Sequence, residues 1–210
     1  MGTAFGVDRE EQRIGDVLVS ESVLLYDDRR VFDIENASRF ATTVAGVCGL
    51  ADKATSSRWA FSRWARRLTG PGYALDYRTA VRPASVAWVE RFRRLATGYE
   101  HAGEVERIMV GTMLSGGARI ESARFLDDLL LSLPSMDSRV IGGEMEAAGA
   151  ISAETPGNAD EPGWIIVKGV SDFADHESRN KDELKKNRER AAYCSARAVL
   201  HVLVAEPMSR

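Results

Sequence analysis

The sequence is poor in cysteine and histidine, with two cysteines and three histidines among 210 residues. Cys48 and Cys194 lie far apart among small and apolar residues, and no histidine accompanies them at the spacing of metal ligands. Two cysteines without such spacing indicate reduced thiols with a mostly structural role. The pattern therefore predicts no metal site and favours a cytoplasmic protein.

Long apolar runs and strong charge are missing as well. No run approaches the ~20 residues that a transmembrane helix needs. Met1 leads into residues 2–6 without the basic region that opens a signal peptide. The net charge of −3 gives no electrostatic reason to bind polyanions or anionic lipids. We therefore expect neither nucleic acid nor a membrane as a partner.

The rest of the composition is that of an ordinary globular domain, with 44% hydrophobic and 28% charged residues. Short apolar segments with strand character alternate with patterns of helical period. The strand patterns lie at 14–20, 107–114 and 164–170, and the helical ones at 122–133, 147–153 and 182–204. This alternation predicts an α/β domain, in which a sheet lies between helices as a three-layer αβα arrangement.

The middle of the chain fits this alternation poorly. Trp59 and Phe61 lie among arginines in a pattern that predicts an amphipathic helix. A second helical pattern follows Pro83, and its apolar residues are Val86, Val89, Phe92 and Leu95. We interpret residues 36–100 as a helical insertion within a single domain of residues 1–210. The arginines are better explained as a solvated face than as a partner or phosphate surface, because the overall charge is close to neutral.

Two acidic motifs stand out in the second half. Residues 143–149 read Gly-Glu-Met-Glu-Ala-Ala-Gly, and residues 164–175 read Trp-Ile-Ile-Val-Lys-Gly-Val-Ser-Asp-Phe-Ala-Asp. The second motif is an apolar strand that ends in acids, and buried carboxylates are costly unless they are paired or functional. Ligands of open α/β sheets bind at the carboxyl ends of the strands. The two motifs therefore predict a ligand site.

Together these motifs resemble the nucleoside phosphorylase/nucleosidase superfamily, whose members cleave the N-glycosidic bond of purine nucleosides. The Gly-x-Ala-x-Gly of residues 2–6, a small-residue turn by its composition, and the Gly-Asp-Val-Leu-Val-Ser of residues 15–20 add to the likeness. The resemblance covers residues 1–30 and 105–205. It implies a nucleoside phosphorylase-like fold, a purine nucleoside or nucleotide as ligand, and a homodimer or higher homo-oligomer.

The resemblance also implies roles for particular residues. Asp172 takes the place of the general acid that protonates the leaving purine at N7. Glu146 takes that of the carboxylate that grips the ribose hydroxyls, with Met145 packed on the ribose and Ser171 in the same substrate site. Glu144 is a further candidate for that site, although a structural pairing is the favoured interpretation of its carboxylate.

Two further segments are implied to flank the substrate. In the segment 115–120, Ile120 is a candidate contact, and Arg119 stands where methylthioadenosine/S-adenosylhomocysteine nucleosidases carry a stacking phenylalanine. A guanidinium can stack on a base, reach a phosphate of a nucleotide, or simply lie on the surface. The segment under the base and ribose is matched by Thr3, Ala4, Phe5 and Gly6. In phosphorylases a hydroxyl at the position of Thr3 helps to bind phosphate.

The superfamily domain has strands before the segment that Met1 matches, and they carry the residue that activates water or the cradle for phosphate. We therefore expect an N-terminally truncated, mis-started or degenerate relative, with weak or no activity and a sheet edge that needs covering. Three alternatives stay open. The protein is a nucleosidase, a phosphorylase that uses phosphate as co-substrate, or a catalytically impaired nucleoside-binding domain with an effector or sensor role. No other cofactor is expected.

Overall fold

The computed structural model describes residues 1–27, 30–33, 73–76, 81–96, 106–133, 138–152, 163–175 and 181–205. The helix expected around Trp59 lies outside these residues, as do Cys48, His101 and His176. The expected insertion at 36–100 is therefore described only in its short segments 73–76 and 81–96.

Five strands come first in the described residues, and helices alternate with strands from β5 onward, which confirms the predicted α/β class. The strands are β1 (Gly2–Gly6), β2 (Val17–Leu25), β3 (Arg30–Asp33), β4 (Tyr73–Asp76), β5 (Val81–Pro83), β6 (Ile108–Ser115), β7 (Val140–Glu144) and β8 (Val167–Asp172). The helices are α1 (Val86–Ala96), α2 (Ala123–Ser132), α3 (Ala147–Ser152) and α4 (Lys181–Ala205).

Six strands form one mixed sheet in the order β5-β2-β6-β7-β1-β8, and β3 pairs with β4 separately. The strands β2, β6 and β7 are parallel, whereas β1 runs antiparallel to β7 and parallel to β8. β2 also pairs antiparallel with β8, through residues 17–19 and 167–169. Strands β2, β6, β7, β1 and β8 therefore close into a ring. The segment that Met1 opens does not lie at an edge of the sheet, because β7 and β8 flank β1.

The side chains of each strand alternate between the inside of this ring and the helices outside it. Val17 and Val19 pack outward with Phe92 of α1 and with α4, so Leu18 points inward. A register shift between Ser20 and Ser22 lets Val23 face inward as well, although Val23 lies an odd offset of five positions after Leu18. The inner cluster is completed by Ala4, Met113, Ile141, Ala147 and Val170.

The segment 2–6, expected to be a turn, is instead the central strand β1. Side chains from β8 and from the segment after it come close to the glycines at both ends of β1, and the space is tightest at Gly6. A Cβ added to Gly2 would lie 3.3 Å from the Lys168 Nζ, and one added to Gly6 would lie 2.9 Å from the Phe173 ring. The glycines of β1 are thus explained by close packing against neighbouring side chains and not by a change of chain direction.

Helical geometry decides which side chains of α1 and α4 are buried. Phe92 and Val89 of α1 are buried, but Val86 is 65% exposed, because helical geometry places it about 120° around the axis from Phe92. In α4, Ala191 is buried and Ala192 is exposed, since consecutive residues point about 100° apart. Among the described helices, none is both long and apolar enough to cross a bilayer.

Candidate active site

Glu144 ends β7 with a completely buried carboxylate. Its oxygens accept the backbone N–H of Glu146 at 2.8 Å and that of Ala147 at 3.0 Å. These two donors belong to the first turn of α3, where N–H groups have no helical partner. Glu144 therefore fixes the turn from β7 into α3, and with it the direction in which Met145 and Glu146 leave the sheet.

Lys168 joins the two acidic motifs. Its side chain is only 7% exposed, and its Nζ lies 3.1 Å from the Glu144 Oε2 and 2.6 Å from the Glu146 Oε2. The sequence analysis missed this residue. The available signal was that Lys168 is the single charged residue of the apolar run 164–170. A lysine buried in such a strand needs a carboxylate partner, so its position in the run indicates an ion pair.

Glu146 is the solvent-facing member of this group, with its side chain 72% exposed. The hydrogen bond from the Lys168 ammonium holds the pKa of Glu146 below its usual value. Met145, beside it, is 44% exposed, which is unusual for a large apolar side chain. A charged carboxylate and an open apolar side chain thus stand together at the end of β7.

Asp172 ends β8 with both carboxylate oxygens engaged. Its Oδ2 lies 2.9 Å from the Ser171 hydroxyl, and its Oδ1 accepts the backbone N–H of Ala174 at 3.1 Å. The Ser171 hydroxyl is buried and also lies 3.2 Å from the carbonyl oxygen of Ala4 in β1. The acid is therefore held in one orientation by its own loop and by the central strand.

The two acids are separated by one strand, because β1 lies between β7 and β8. Phe5 is paired with Gly143 on one side and with Asp172 on the other. Two sheet spacings of about 4.8 Å place the two acid-bearing strands roughly 10 Å apart. The two acid-bearing strands therefore flank β1, one on each side of it.

Residues of β1 itself fall on both faces of the sheet. Ala4 is 4% exposed and lies in the inner cluster, while Phe5 packs against the cluster around α2. Strand alternation turns Thr3, which is partly buried, away from the face of Ala4. Gly6 is buried beside Phe173. The four candidates of this segment therefore do not line one surface.

The segment after β6 contributes a buried hydroxyl. Ser115 pairs with Glu144 in the register of β6 and β7, and its Oγ is buried without a hydrogen-bond partner among the described residues. Ile120, in contrast, is 6% exposed and packs in the cluster around α2. Arg119 is half exposed and forms an ion pair of 2.9 Å with Glu121, which leaves it at the surface of this segment.

The described residues do not group three carboxylate, histidine or cysteine side chains closely enough to hold a metal ion. The chemistry at hand is that of three carboxylates, one ammonium and the hydroxyls of Ser115 and Ser171. Glu144, Glu146 and Lys168 together carry one net negative charge beside the open end of β7. This arrangement suits a ligand with hydroxyl donors and developing positive charge.

The fold is similar to that of solved nucleosidases, as the sequence motifs indicated. One solved structure with this fold is the 5′-methylthioadenosine/S-adenosylhomocysteine nucleosidase from Neisseria meningitidis in complex with methylthio-immucillin-A. It has a TM-score of 0.58 and 18% identity, and the match covers 98% of this chain and 68% of that one. A futalosine hydrolase mutant from Helicobacter pylori matches with a TM-score of 0.55 and 13% identity, over 98% of this chain and 67% of that one.

Among curated proteins, a death domain-containing ATP nucleosidase from Amphimedon queenslandica is 27% identical over 205 residues. The match covers 97% of this chain and 32% of that protein, so the chain spans about a third of the length of this relative. No family model matches the sequence.

Proposed function

We propose that the protein hydrolyses the N-glycosidic bond of a purine nucleoside or nucleotide. The observation that carries this proposal is the placement of Glu146 and Asp172 on either side of β1, with Lys168 fixing the first and Ser171 the second. Cleavage of such a bond passes through a transition state with positive charge on the sugar, as in glycoside hydrolysis. In this proposal Glu146 stabilises the positive charge on the sugar, and Asp172 protonates the leaving purine.

Glu146 accepts hydrogen bonds from the ribose hydroxyls in this proposal. The net negative charge that it shares with Glu144 and Lys168 then lies beside the sugar on which positive charge develops. Fixed charges placed where charge develops stabilise the transition state more than the ground state. Met145, open to solvent at this end of β7, packs on the apolar face of the ribose.

Asp172 donates a proton to N7 of the purine as the bond between C1′ and N9 breaks. The electron pair of that bond goes to the purine, and water adds to C1′ and gives up a proton to solvent. General acid catalysis needs the donor in hydrogen-bond reach and held in orientation. The contacts of Asp172 with Ser171 and Ala174 support such an orientation. Side chains and water suffice for the proposed reaction, which needs no cofactor.

The substrate class is tested by release of free base. The purified protein is incubated with adenosine, methylthioadenosine, inosine and ATP, with and without phosphate, and the free base is measured by chromatography. Asp172→Asn shows whether this protein or a contaminating enzyme releases the base, because a contaminant is unaffected by the substitution. Asp127→Asn, at an exposed site on α2, is its matched control. Base release without phosphate that is lost only in Asp172→Asn supports hydrolysis by this protein. ATP is included because the curated relative is an ATP nucleosidase.

Two other outcomes assign a different function. Release that requires phosphate makes the protein a phosphorylase, and Thr3 then becomes the candidate for phosphate binding. Tight binding of a nucleoside without any release favours a nucleoside-binding sensor or effector domain. The death domain of the curated relative gives this second function its support, since it joins a nucleosidase to a domain of another kind.

Assembly and location belong to the same proposal. We expect a homodimer or higher homo-oligomer, which light scattering after size-exclusion chromatography measures directly. A cytoplasmic location agrees with Cys194, which is a free, buried thiol. Fractionation of cells that express the tagged protein tests it.

A further inference from the structure

The loop between β1 and β2 is firmly attached to β7. Gln12 is 3% exposed, and its side-chain oxygen accepts the N–H groups of Val7 and Asp8 at 2.8 and 2.9 Å. The side-chain nitrogen of Gln12 donates to the carbonyl oxygen of Ile141 at 2.6 Å. Arg139, next to β7, forms an ion pair with Asp8 at 2.5 Å. These bonds make the loop a fixed support.

Arg9 extends from this loop over the segment that follows Asp172. Its guanidinium carbon lies 4.9 Å from the centre of the Phe173 ring, and the guanidinium forms an ion pair with Asp175. The Asp175 side chain is 14% exposed. The ring of Phe173 also lies against the backbone of Gly6. We name the three side chains of Arg9, Phe173 and Asp175 the Arg9 clasp.

The clasp encloses the residue that orients the acid. Ala174 lies between Phe173 and Asp175, and its N–H donates to the Asp172 carboxylate at 3.1 Å. Ala174 has a φ of 55°, in the left-handed region that residues other than glycine seldom adopt. Such a conformation persists only where the surroundings hold it in place. Here Arg9 holds the residues on both sides of Ala174.

We propose that Arg9 is a positioning residue for Asp172, an inference that rests on the proposed function. Arg9 acts from outside the ligand site through two contacts, the ring of Phe173 and the carboxylate of Asp175. It keeps Ala174 in the conformation that aims the acid, and it balances the charge of Asp175 three residues from that acid. Without it the N–H of Ala174 is free to turn away and the Asp172 carboxylate loses one of its two fixed contacts.

The experiment compares Arg9→Gln, Arg9→Lys and Asp175→Asn with the unaltered protein. Arg124→Gln, at an exposed arginine of α2, is the matched control. For each protein we measure kcat and KM for base release, adenine affinity by calorimetry, and the thermal unfolding midpoint. Arg9→Gln should lower kcat by about 10- to 100-fold, the scale expected when a reacting group is misplaced. The KM should change much less, and Arg9→Lys should recover part of kcat by restoring the ion pair.

The double variant Arg9→Gln/Asp175→Asn decides whether the two residues act as one unit. Because they share the clasp, its kcat should match that of the weaker single variant. A kcat for Arg9→Gln equal to that of Arg124→Gln overturns the proposal. A loss of kcat in Arg9→Gln that Arg9→Lys does not reduce also overturns the proposal. A loss of kcat that is explained by a lower unfolding midpoint overturns it as well.

Failure of the proposed function is recognised separately, because the unaltered protein then releases no base. In that case the adenine affinities of the variants test the positioning role of Arg9 without any measurement of catalysis. Weaker binding of adenine by Arg9→Gln than by Arg124→Gln supports positioning of Asp172 against the purine. Equal affinities of these two variants overturn it.

Discussion

The Nζ of Lys168 lies 3.1 Å from the Glu144 Oε2, and both side chains are almost completely shielded from water. A buried ammonium and a buried carboxylate stabilise each other only while both are present, since either one alone would be an unpaired charge in the interior. This pair also joins β8 to the end of β7 across the central strand β1. Lys168 therefore has two roles: it neutralises the buried Glu144 carboxylate within the fold, and it holds the Glu146 carboxylate of the candidate site.

Replacing Lys168 by methionine should destabilise the fold. The substitution keeps the apolar stem but leaves the Glu144 carboxylate buried without its cation, and loss of one partner from a buried pair costs about 3–5 kcal/mol. Urea unfolding followed by circular dichroism measures the change. Lys185→Met is the matched control, because the Lys185 side chain is 78% exposed and its contact with Glu189 is 4.0 Å long. A Lys168→Met protein as stable as this control would contradict the importance of the pair.

Stability should fall in acid partly through Glu146. Lys168 lowers the pKa of Glu146 in the folded protein below the ordinary value of 4.5. A group with a lowered folded pKa contributes stability above its unfolded pKa, and this contribution disappears as the pH falls through the folded value. The stability difference between the parent and Glu146→Gln should be constant near neutral pH and shrink below about pH 4.5. Urea unfolding of both proteins across this range measures it, and a gap that widens in acid would refute the assignment.

Asp172→Asn should abolish most base release. An amide has almost the shape of the carboxylate but has no proton to give to the leaving purine. Loss of a general acid lowers the rate by about 10²–10⁴-fold. Adenine binding, measured by calorimetry, should persist. Full turnover by Asp172→Asn would remove this residue from the mechanism.

Glu146→Gln should discriminate between sugar and base. If Glu146 binds the ribose hydroxyls, the variant should bind adenosine at least about tenfold more weakly, because a hydrogen bond to a charged acceptor is lost. Its affinity for adenine should stay close to that of the parent. Calorimetry with both ligands makes the comparison, and Glu189→Gln on the exposed face of α4 is the control. Equal losses for adenosine and adenine would place Glu146 away from the sugar.

Cys194 should be chemically inert in the folded protein. Its side chain is buried, and desolvation together with the neighbouring Glu106 carboxylate raises the pKa of the thiol to about 12. Since the thiolate is the reactive form, iodoacetamide at pH 8 should leave Cys194 unmodified until the protein is unfolded in urea. Peptide mapping by mass spectrometry reads the modification at this residue. Rapid labelling without urea would show that α4 opens readily.

The elements that sequence reasoning predicted well are those with a strong local pattern. The helix at 122–133 has a clear apolar stripe and a serine at its start, and α2 begins directly after Ser122, whose hydroxyl accepts the N–H of Phe125. The two acidic motifs likewise predicted the ends of β7 and β8. The spacing of nearby residues is enough to predict the bounds of these elements, because each element is short and its buried face is continuous.

The parts that were missed depend on contacts between distant residues. The segment 2–6 has the composition of a turn, and only its position between β7 and β8 makes it a strand. The closure of β2 on β8 joins residues about 150 positions apart, and no periodicity reports such a pairing. Lys168 and Arg9 escaped notice for the same reason, since their roles follow from partners that the fold brings to them.

The central position of β1 has a consequence for synthesis on the ribosome. The strands that flank β1 are β7 and β8, which end at Glu144 and Asp172, so β1 is synthesised well before either of its neighbours. At about 5–20 residues per second, translation leaves it without these neighbours for roughly 10–30 s. During that interval β1 lacks both of the strands that flank it in the finished sheet, and its backbone N–H and C=O groups have no partners from them.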